Sequence, residues 1–418
     1  MYKIKLVILM KEGEKRIIFH IDVNNAFLSW TAVKMLKDGE KLDIRKIPSV
    51  IGGEEKERHG IVLAKSMPAK KRGVQTAETL YSARQKCPNL KVFKPDYSWY
   101  YEQSNLMYQY LTRYTPLIER YSIDECFLDL SGTSLLYKNY ETLAEKIKND
   151  IKINFGFTVN VGIGNNKLCA KMASDFEKPD KVHTLYNEEI MKKMWPLPVG
   201  DLFMVGKSTA AKLRELGIET IKDLAICKPE KIQRYFKNQT SFLINSANGI
   251  DETKVTPRTN KSDSISISET LPYDCSDIEV IKDILFRQTE EVSRNLRNQK
   301  QYAKTIAITY KNNIFNSYQK QNKLPHPENL TVEIYKAIID LLEKSWRNEP
   351  IRNIGMRLGD LTDNKNEQIS LFSEPVIEDE SDKMQEIVDD INNKYGGNVI
   401  LPASIKLIGK KNSRKKLY

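Results

Sequence analysis

The chain has 418 residues, with 66 Lys and Arg against 55 Asp and Glu, a net charge of +11 and a pI near 9.1. That length allows two to four domains with real cores, and the positive excess favours an anionic partner such as nucleic acid. Five scattered cysteines without a Cys-x-x-Cys pair argue against a zinc site or a disulfide framework and fit reduced thiols in a cytoplasm.

The opening MYKIKLVILM has too short an apolar run to span a membrane and reads as an extension, with Met10 an alternative start. No other segment approaches membrane-spanning length, which predicts a soluble protein. From Arg16 to Asp22 the pattern is a buried strand ending on an acid, and Asn24 to Leu36 reads as a helix entered from that strand. Residues from about Lys37 to Leu90 form a small Lys-rich insertion with a short strand at Gly60–Ala64 and a helix at Ala77–Cys87. Tyr100–Tyr114 is a tyrosine-studded helix. After Pro116, Ile118 to Leu128 reads as a β-hairpin whose tip carries Asp124 and Glu125. Leu143, Ile147 and Ile151 mark another helix and Thr158–Ile163 another strand, an alternation typical of α/β layering.

Asp and Glu are poor strand formers, so the acidic pair needs a reason. An ordinary polar turn is one. The other is that Asp22, at the end of its own strand, meets Asp124 and Glu125 at one sheet edge. At a separation of about 4 Å and an effective dielectric of about 20, each pair of unit charges repels by roughly 4 kcal/mol. Such a cluster needs a counter-ion, and carboxylate-only ligation suits a hard octahedral cation, Mg²⁺ or Mn²⁺. Two such ions are the usual arrangement for phosphoryl and nucleotidyl transfer.

Two look-alike motifs fail. Gly200 to Ser208 resembles a P-loop but has five residues where four belong and no preceding strand; Gly162-x-Gly164 follows a strand but has Lys167 in place of the third glycine. Met204-Val205-Gly206-Lys207, a helix to Leu216, a stop at Gly217 and a new start at Thr220 with Asp223 read as a helix-hairpin-helix. Such a hairpin offers backbone N–H groups at a helix start to a DNA phosphate, here around Gly206 and Lys207.

Residues 251–263 read as a linker. Beyond it come a strand at Ser264–Leu271, a helix marked by Ile278 to Leu296, strands at Ala303–Tyr310 and Ile314–Gln319, a helix marked by Leu330 to Leu342, and a strand around Ile354–Leu358. That order is βαββαβ, a split βαβ unit. Between Arg294 and Pro327 there is no acid, while Arg294, Arg297, Lys300, Lys304, Lys311, Lys320 and Lys323 alternate with Tyr302, Tyr310, Phe315 and Tyr318. A single-sign stripe on strands fits a phosphate backbone. Gln368-Ile369-Ser370-Leu371-Phe372 then has the chemistry of a docking peptide, one amide and two apolar anchors in a polar tether. Residues 374–418, an acidic helix near Asp382–Tyr395 and a basic end, read as an accessory tail.

The words HIDVNNAF (His20–Phe27), AKKRGV (Ala69–Val74), YSIDECFLDL (Tyr121–Leu130), VGIGNNKLCAKMAS (Val161–Ser174) and IRNIGMRLGDL (Ile351–Leu361) together resemble the Y-family of translesion DNA polymerases, nearest its bacterial DNA polymerase IV branch. They occur in family order and cover nearly the whole chain.

The resemblance implies an α/β right hand: palm at 1–36 and 96–190, fingers at 37–95, a helix-hairpin-helix thumb at 191–250, a linker at 251–263, a little finger at 264–363, a clamp-binding peptide at 364–373 and the tail at 374–418. It implies template-directed, low-fidelity addition of dNTPs to a primer end, lesion bypass in DNA repair, and a cytoplasmic monomer. Asp22 and Asp124 would bridge two Mg²⁺ ions, Glu125 would hold the one that activates the primer hydroxyl, and the Val23 carbonyl the one on the triphosphate. Phe27 matches the steric gate against ribonucleotides, and Lys70 and Lys167 match nucleotide contacts. Gly206, Lys207, Arg297, Lys304 and Lys311 would touch primer-template DNA. Gln368, Leu371 and Phe372 look like a sliding-clamp anchor.

The chain departs from the pattern at Met67, where many relatives have Tyr, at Lys70, where they have Arg, and at Ala64, where they have Thr. Lysine keeps the charge but loses bidentate phosphate recognition. Ala26 stands where an aromatic is frequent. Two rival readings are an idle clamp- and DNA-binding factor that keeps the family shape, and a cyclase-like palm acting on free nucleotides. The three intact carboxylates oppose the first; the hairpin thumb and basic last domain oppose the second.

Overall fold

The computed structural model describes residues 16–53, 60–257, 262–364, 380–395 and 400. These fall into two compact units, one within residues 16–257 and one from residue 262 onward. The Gln368–Phe372 peptide, most of the tail's basic end and the first fifteen residues lie outside the described set.

The first unit contains the strands β1 (Ile18–Val23), β2 (Ser49–Gly52), β3 (Val62–Lys65), β4 (Lys91–Phe93), β5 (Ile118–Arg120), β6 (Glu125–Asp129), β7 (Val159–Gly164) and β8 (Val182–Leu185). The second contains β9 (Ser264–Cys275), β10 (Ala303–Asn312), β11 (Ser317–Glu328) and β12 (Ile351–Gly359).

Five strands form one sheet in the order β5-β6-β1-β7-β8, with β1 at its centre and antiparallel to both neighbours. All six residues of β1 are buried, as expected of a strand covered on both faces. Phe19, Ile21 and Val23 share a core with Trp30 of helix Ala26–Lys37, Tyr100 and Met107 of helix Tyr97–Leu111, and Ile147 of helix Tyr140–Phe155. On the other face Ile18 packs with Phe127 and Ala170, and the His20 ring hydrogen-bonds through Nδ1 with the Ser174 hydroxyl at 2.8 Å. That second face is covered by the helix Lys167–Asp175. Residues alternate along a strand, so Asp22 shares this face with His20.

Gly162 and Gly164 explain how closely that helix lies. A Cβ on Gly162 would stand 2.0 Å from the Ala170 carbonyl oxygen, and one on Gly164 would stand 2.6 Å from the Ala170 nitrogen. The glycines that resemble a dinucleotide fingerprint therefore serve close backbone packing of helix on strand.

The insertion forms a second sheet, β3-β2-β4, around Val50, Val62, Leu80 and Ala83. Strands β2 and β4 are too short to show a period in the sequence, and only β3 was expected. The helix expected from Ala77 begins at Leu80, where the Thr79 hydroxyl caps the Ser82 N–H and Ala77 takes a φ of +67°. Four short helices follow the large sheet: Lys207–Glu215, Ile221–Ala225, Pro229–Phe236 and Thr240–Ala247. Gly217 takes the left-handed conformation (φ +71°) after the first, and Thr220 and Asp223 form a capping box at the second.

In the second unit the sheet order is β11-β10-β12-β9, every pair antiparallel. The βαββαβ expectation holds, and β12 fills the gap between β9 and β10, which leaves β11 at the edge. Helices Ile278–Asn298 and Thr331–Ser345 pack on one face through Ile281, Leu285, Ile334 and Leu341 against Ile306, Ile308 and Met356. The strand expected at Ile314–Gln319 starts instead at Ser317, after a turn in which Phe315 has φ +66°, and runs on to Glu328 through Pro325 and Pro327. Prolines argue against a strand in sequence, but an edge strand tolerates them. A helix at Glu380–Tyr395 belongs to this unit.

Candidate active site and nucleic-acid interface

Asp22 and Glu125 are direct partners across β1 and β6, and the Val23 N–H donates to the Asp124 carbonyl at 3.1 Å. Residues a hundred positions apart in sequence thus meet at the end of the central strand. Asp124 stands one residue before β6, and its carboxylate accepts from the Ser122 hydroxyl at 2.6 Å. Of the sequence candidates, Asp22, Val23, Asp124 and Glu125 come together.

Two cations complete the cluster. The Lys171 ammonium lies 3.2 Å from Asp22 Oδ2 and 2.5 Å from Glu125 Oε1, and that of Lys178 lies 2.8 Å from the same Asp22 oxygen. Burial would raise the Asp22 carboxyl, but Lys178 and Lys171 outweigh it and hold the group below its usual range. Burial dominates at Asp124 and Glu125 and pushes both upward, assisted by the neighbouring acids. Lys171, despite burial, is held above the usual lysine range by Asp22 and Glu125. His20 beside them is kept neutral by burial and by Lys171.

A cavity of about 410 Å³ opens next to this cluster, lined by Asp22, Asn25, Ala64, Met67, Lys70 and Lys178 among others. Asn25 takes a left-handed conformation (φ 52°) and its amide donates to the Lys65 carbonyl at 2.8 Å, tying the end of β1 to the three-stranded sheet. Asn24 accepts from the Asp180 N–H at 2.9 Å and so holds the turn that carries Lys178. Phe27 is not in the lining; its ring stacks on Tyr100 with centroids 4.8 Å apart and meets Tyr97 edge-on.

Lys167, expected at the nucleotide, is placed elsewhere. Its ammonium sits 2.7 and 2.8 Å from the two Glu119 oxygens and over the Phe127 ring. Lys178, and not Lys167, is among the residues that line the cavity. Lys171 lies one helical turn before Asp175 on the same helix face, and Lys178 follows the helix end.

The carboxylates fit a hard cation in donor chemistry: they offer oxygen only, from three acids drawn to one strand end. Among the described residues no group of three His, Cys, Asp or Glu side chains stands in a metal-holding arrangement, and the Lys171 ammonium lies against both Asp22 and Glu125.

In the second unit, cross-strand register puts Ser266, Arg357 and Gln321 in one row on the face away from the helices, and Thr270, Asn353, Lys311 and Ser317 in another. Lys323 and Ser264 extend the same face through Thr305 and Gly359. This open face is polar and basic, and its rows contain no acid. Lys311 belongs to it, and Arg357, 34 residues beyond Lys323, was missed because the sequence stripe ended before it. Arg297 does not belong to it. Its side chain is buried, donates to the Asp389 carboxylate and the Asn329 carbonyl, and so fixes the helix Glu380–Tyr395. Tyr310 is likewise core, stacked on Tyr318 with its hydroxyl donating to the Ser345 carbonyl. Lys304 is half-buried at the start of β10. In the first unit Gly206 and Lys207 are exposed at a helix start, and the space where a Gly206 Cβ would lie is open.

Residues 21–175 match the impB/mucB/samB family, residues 187–218 the helix-hairpin-helix motif of the IMS family, and residues 262–371 the impB/mucB/samB C-terminal domain. The chain is 46% identical to a DNA polymerase IV of Clostridium acetobutylicum over 92% of its own length and 97% of the relative's. It is 34% identical to DNA polymerase IV 1 of Bacillus subtilis over 93% of its length and 92% of the relative's. A solved Y-family DNA polymerase chimera, Dbh-Dpo4(243-245)-Dbh, superposes with a TM-score of 0.73 at 23% identity, over 83% of this chain and all of that one, and shares its fold. By matched segments, full-length relatives and shared fold, the chain belongs to the impB/mucB/samB family, in the DNA polymerase IV branch of the Y-family DNA polymerases.

Proposed function

We propose that this DNA-directed DNA polymerase extends a primer across damaged template bases, with Asp22, Asp124, Glu125 and the Val23 carbonyl holding two Mg²⁺ ions, or Mn²⁺. The observation that carries the reading is the convergence of these groups at the end of β1, where Asp22 and Val23 also line the cavity. When bound, the ions would neutralise the triphosphate and lower the pKa of the primer 3′-hydroxyl.

The protein's own part is placement. Asp22, fixed on the central strand, faces both the cavity and Glu125. Lys178, on the cavity wall, would meet the triphosphate as a point charge, and Lys70 would meet it from the short helix Met67–Lys71. Phe27, braced by Tyr100, would close the sugar side against a 2′-hydroxyl. Nothing in this set is a side-chain nucleophile, so the rate would come from positioning and charge neutralisation.

The exposed start of the thumb helix at Gly206 and Lys207 would bind a DNA phosphate without reading bases. The open face of the second sheet, with Lys311, Lys323 and Arg357, would track the backbone. The sequence Gln368-Ile369-Ser370-Leu371-Phe372 would dock on a bacterial sliding clamp, and the enzyme would act as a cytoplasmic monomer on dNTPs and primer-template DNA.

Primer extension across an abasic template with Mg²⁺ and dNTPs tests the core of this reading. Wild type should extend and Asp124→Ala should not; equal extension by both would remove Asp124 from the reaction.

A further inference from the structure

We propose that Lys171 is a built-in counter-cation that holds Asp22 and Glu125 together in the metal-free enzyme and must leave them, towards Asp175, when a divalent ion enters. The inference rests on the reading of these carboxylates as the metal site.

The geometry gives Lys171 both roles. Its ammonium touches one oxygen of each acid, at 3.2 Å from Asp22 and 2.5 Å from Glu125, which is ground that an ion shared by the two would occupy. Like charges this close exclude one another in a buried site. Divalent binding is then an exchange of cations and not an addition.

The exchange has to be a side-chain movement. Gly162 and Gly164 bring the helix backbone down onto β7, with the Ala170 carbonyl 2.0 Å from where a Gly162 Cβ would be, so the backbone of Lys171 is pinned by its neighbour. The side chain has a second seat within reach. Asp175, one helical turn on, is 3.4 Å from the same ammonium, and 45% of its side chain is exposed against 10% for Lys171. Moving towards Asp175 therefore takes the ammonium outward into water while keeping an acidic partner.

Lys178 differs from Lys171. It is 37% exposed, touches Asp22 but not Glu125, and is already 2.8 Å from Asp175, so it reaches the cluster from the cavity side. Lys171 is the ammonium between the two strands.

Mn²⁺ binding to the full-length protein, without DNA or nucleotide, reads the exchange directly through the electron paramagnetic resonance of the free ion. Lys171→Gln should bind Mn²⁺ roughly tenfold more tightly than wild type, since no charge has to be displaced. Its metal-free form should also melt lower, and Mn²⁺ should raise its melting temperature by more than it raises that of wild type.

Asp124→Asn serves as the control. If it leaves wild-type Mn²⁺ affinity intact, the ion sits elsewhere and the metal-site reading itself falls. If it weakens binding while Lys171→Gln leaves affinity unchanged or lower, the exchange alone is overturned. Should Lys171→Gln fail to fold, the ¹⁵N ammonium signal of Lys171, assigned through Lys171→Arg, can be followed as Mg²⁺ is added. Loss of its protection from hydrogen exchange supports the proposal; an unmoved, still protected signal overturns it.

Discussion

Asp22 and Glu125 stand directly opposite one another across two antiparallel strands, an arrangement that like charges disfavour. Lys171 and Lys178 offset the repulsion in the metal-free protein. Asp22→Asn and Glu125→Gln should each lower single-turnover primer extension by at least about a thousandfold, while primer-template affinity changes less than about threefold. A matching loss in DNA affinity would show that the acids shape the fold instead.

Asp124 should cost the metal-free protein stability. Burial raises its folded pKa above the ordinary carboxylate value of 3.8, so the folded chain takes up the proton more readily than the unfolded one. The penalty is therefore fully present above the folded value and disappears as pH falls below the unfolded one. In EDTA at neutral pH, Asp124→Asn should be more stable than wild type by about 1 kcal/mol, and the two should converge near pH 3 to 4. Denaturant melts across that range check both the sign and the window; a variant less stable than wild type at neutral pH would contradict the burial argument.

Phe27 is held from behind. Its ring stacks on Tyr100, whose hydroxyl shares a 2.7 Å hydrogen bond with Thr31, which in turn donates to the Phe27 carbonyl. Phe27→Ala should raise the ratio of ribonucleotide to deoxyribonucleotide insertion by at least about tenfold. Tyr100→Ala should move the ratio the same way by a smaller factor, and Tyr100→Phe, which keeps the stack, should move it least. Unchanged sugar selection in Phe27→Ala would count against the gate.

The basic residues of the second unit should separate by face. Arg357→Ala and Lys311→Ala should each reduce the salt dependence of DNA binding by about one phosphate's worth, a slope change of about 0.7 to 0.9. Arg297→Ala should leave that slope alone. It should instead release the helix Glu380–Tyr395, seen as faster proteolysis within that helix.

Much of this molecule could be read from its sequence. The hydrophobic run ending at Asp22, the acidic hairpin, the Thr220 and Asp223 capping box and the βαββαβ order are local patterns, and local patterns survive folding. What sequence reading missed depends on distance. Lys171 meets Asp22 across 149 positions, and only the packing of helix on strand shows that its charge is spent on the acids. Arg297 looked like one bead on a basic string, yet its partner lies 92 residues later. Tyr310 looked like an interleaved aromatic, but strand alternation turns it inward. Lys178 carried no motif that marked it, and only the fold shows it on the cavity wall while Lys167 pairs with Glu119.

The outermost strand of the second sheet carries one more consequence. Twelve residues of β11 run with one flank of their backbone unpaired by the sheet, the kind of border on which a foreign strand can grow. Pro325 and Pro327 take two amide donors out of this strand, where its register with β10 shifts, and Lys320 and Lys323 load it with charge. These features guard a sheet with a broad polar face against recruiting copies of itself, and substituting both prolines with residues of high strand propensity should leave the fold intact while turning a dispersed protein into one that self-associates.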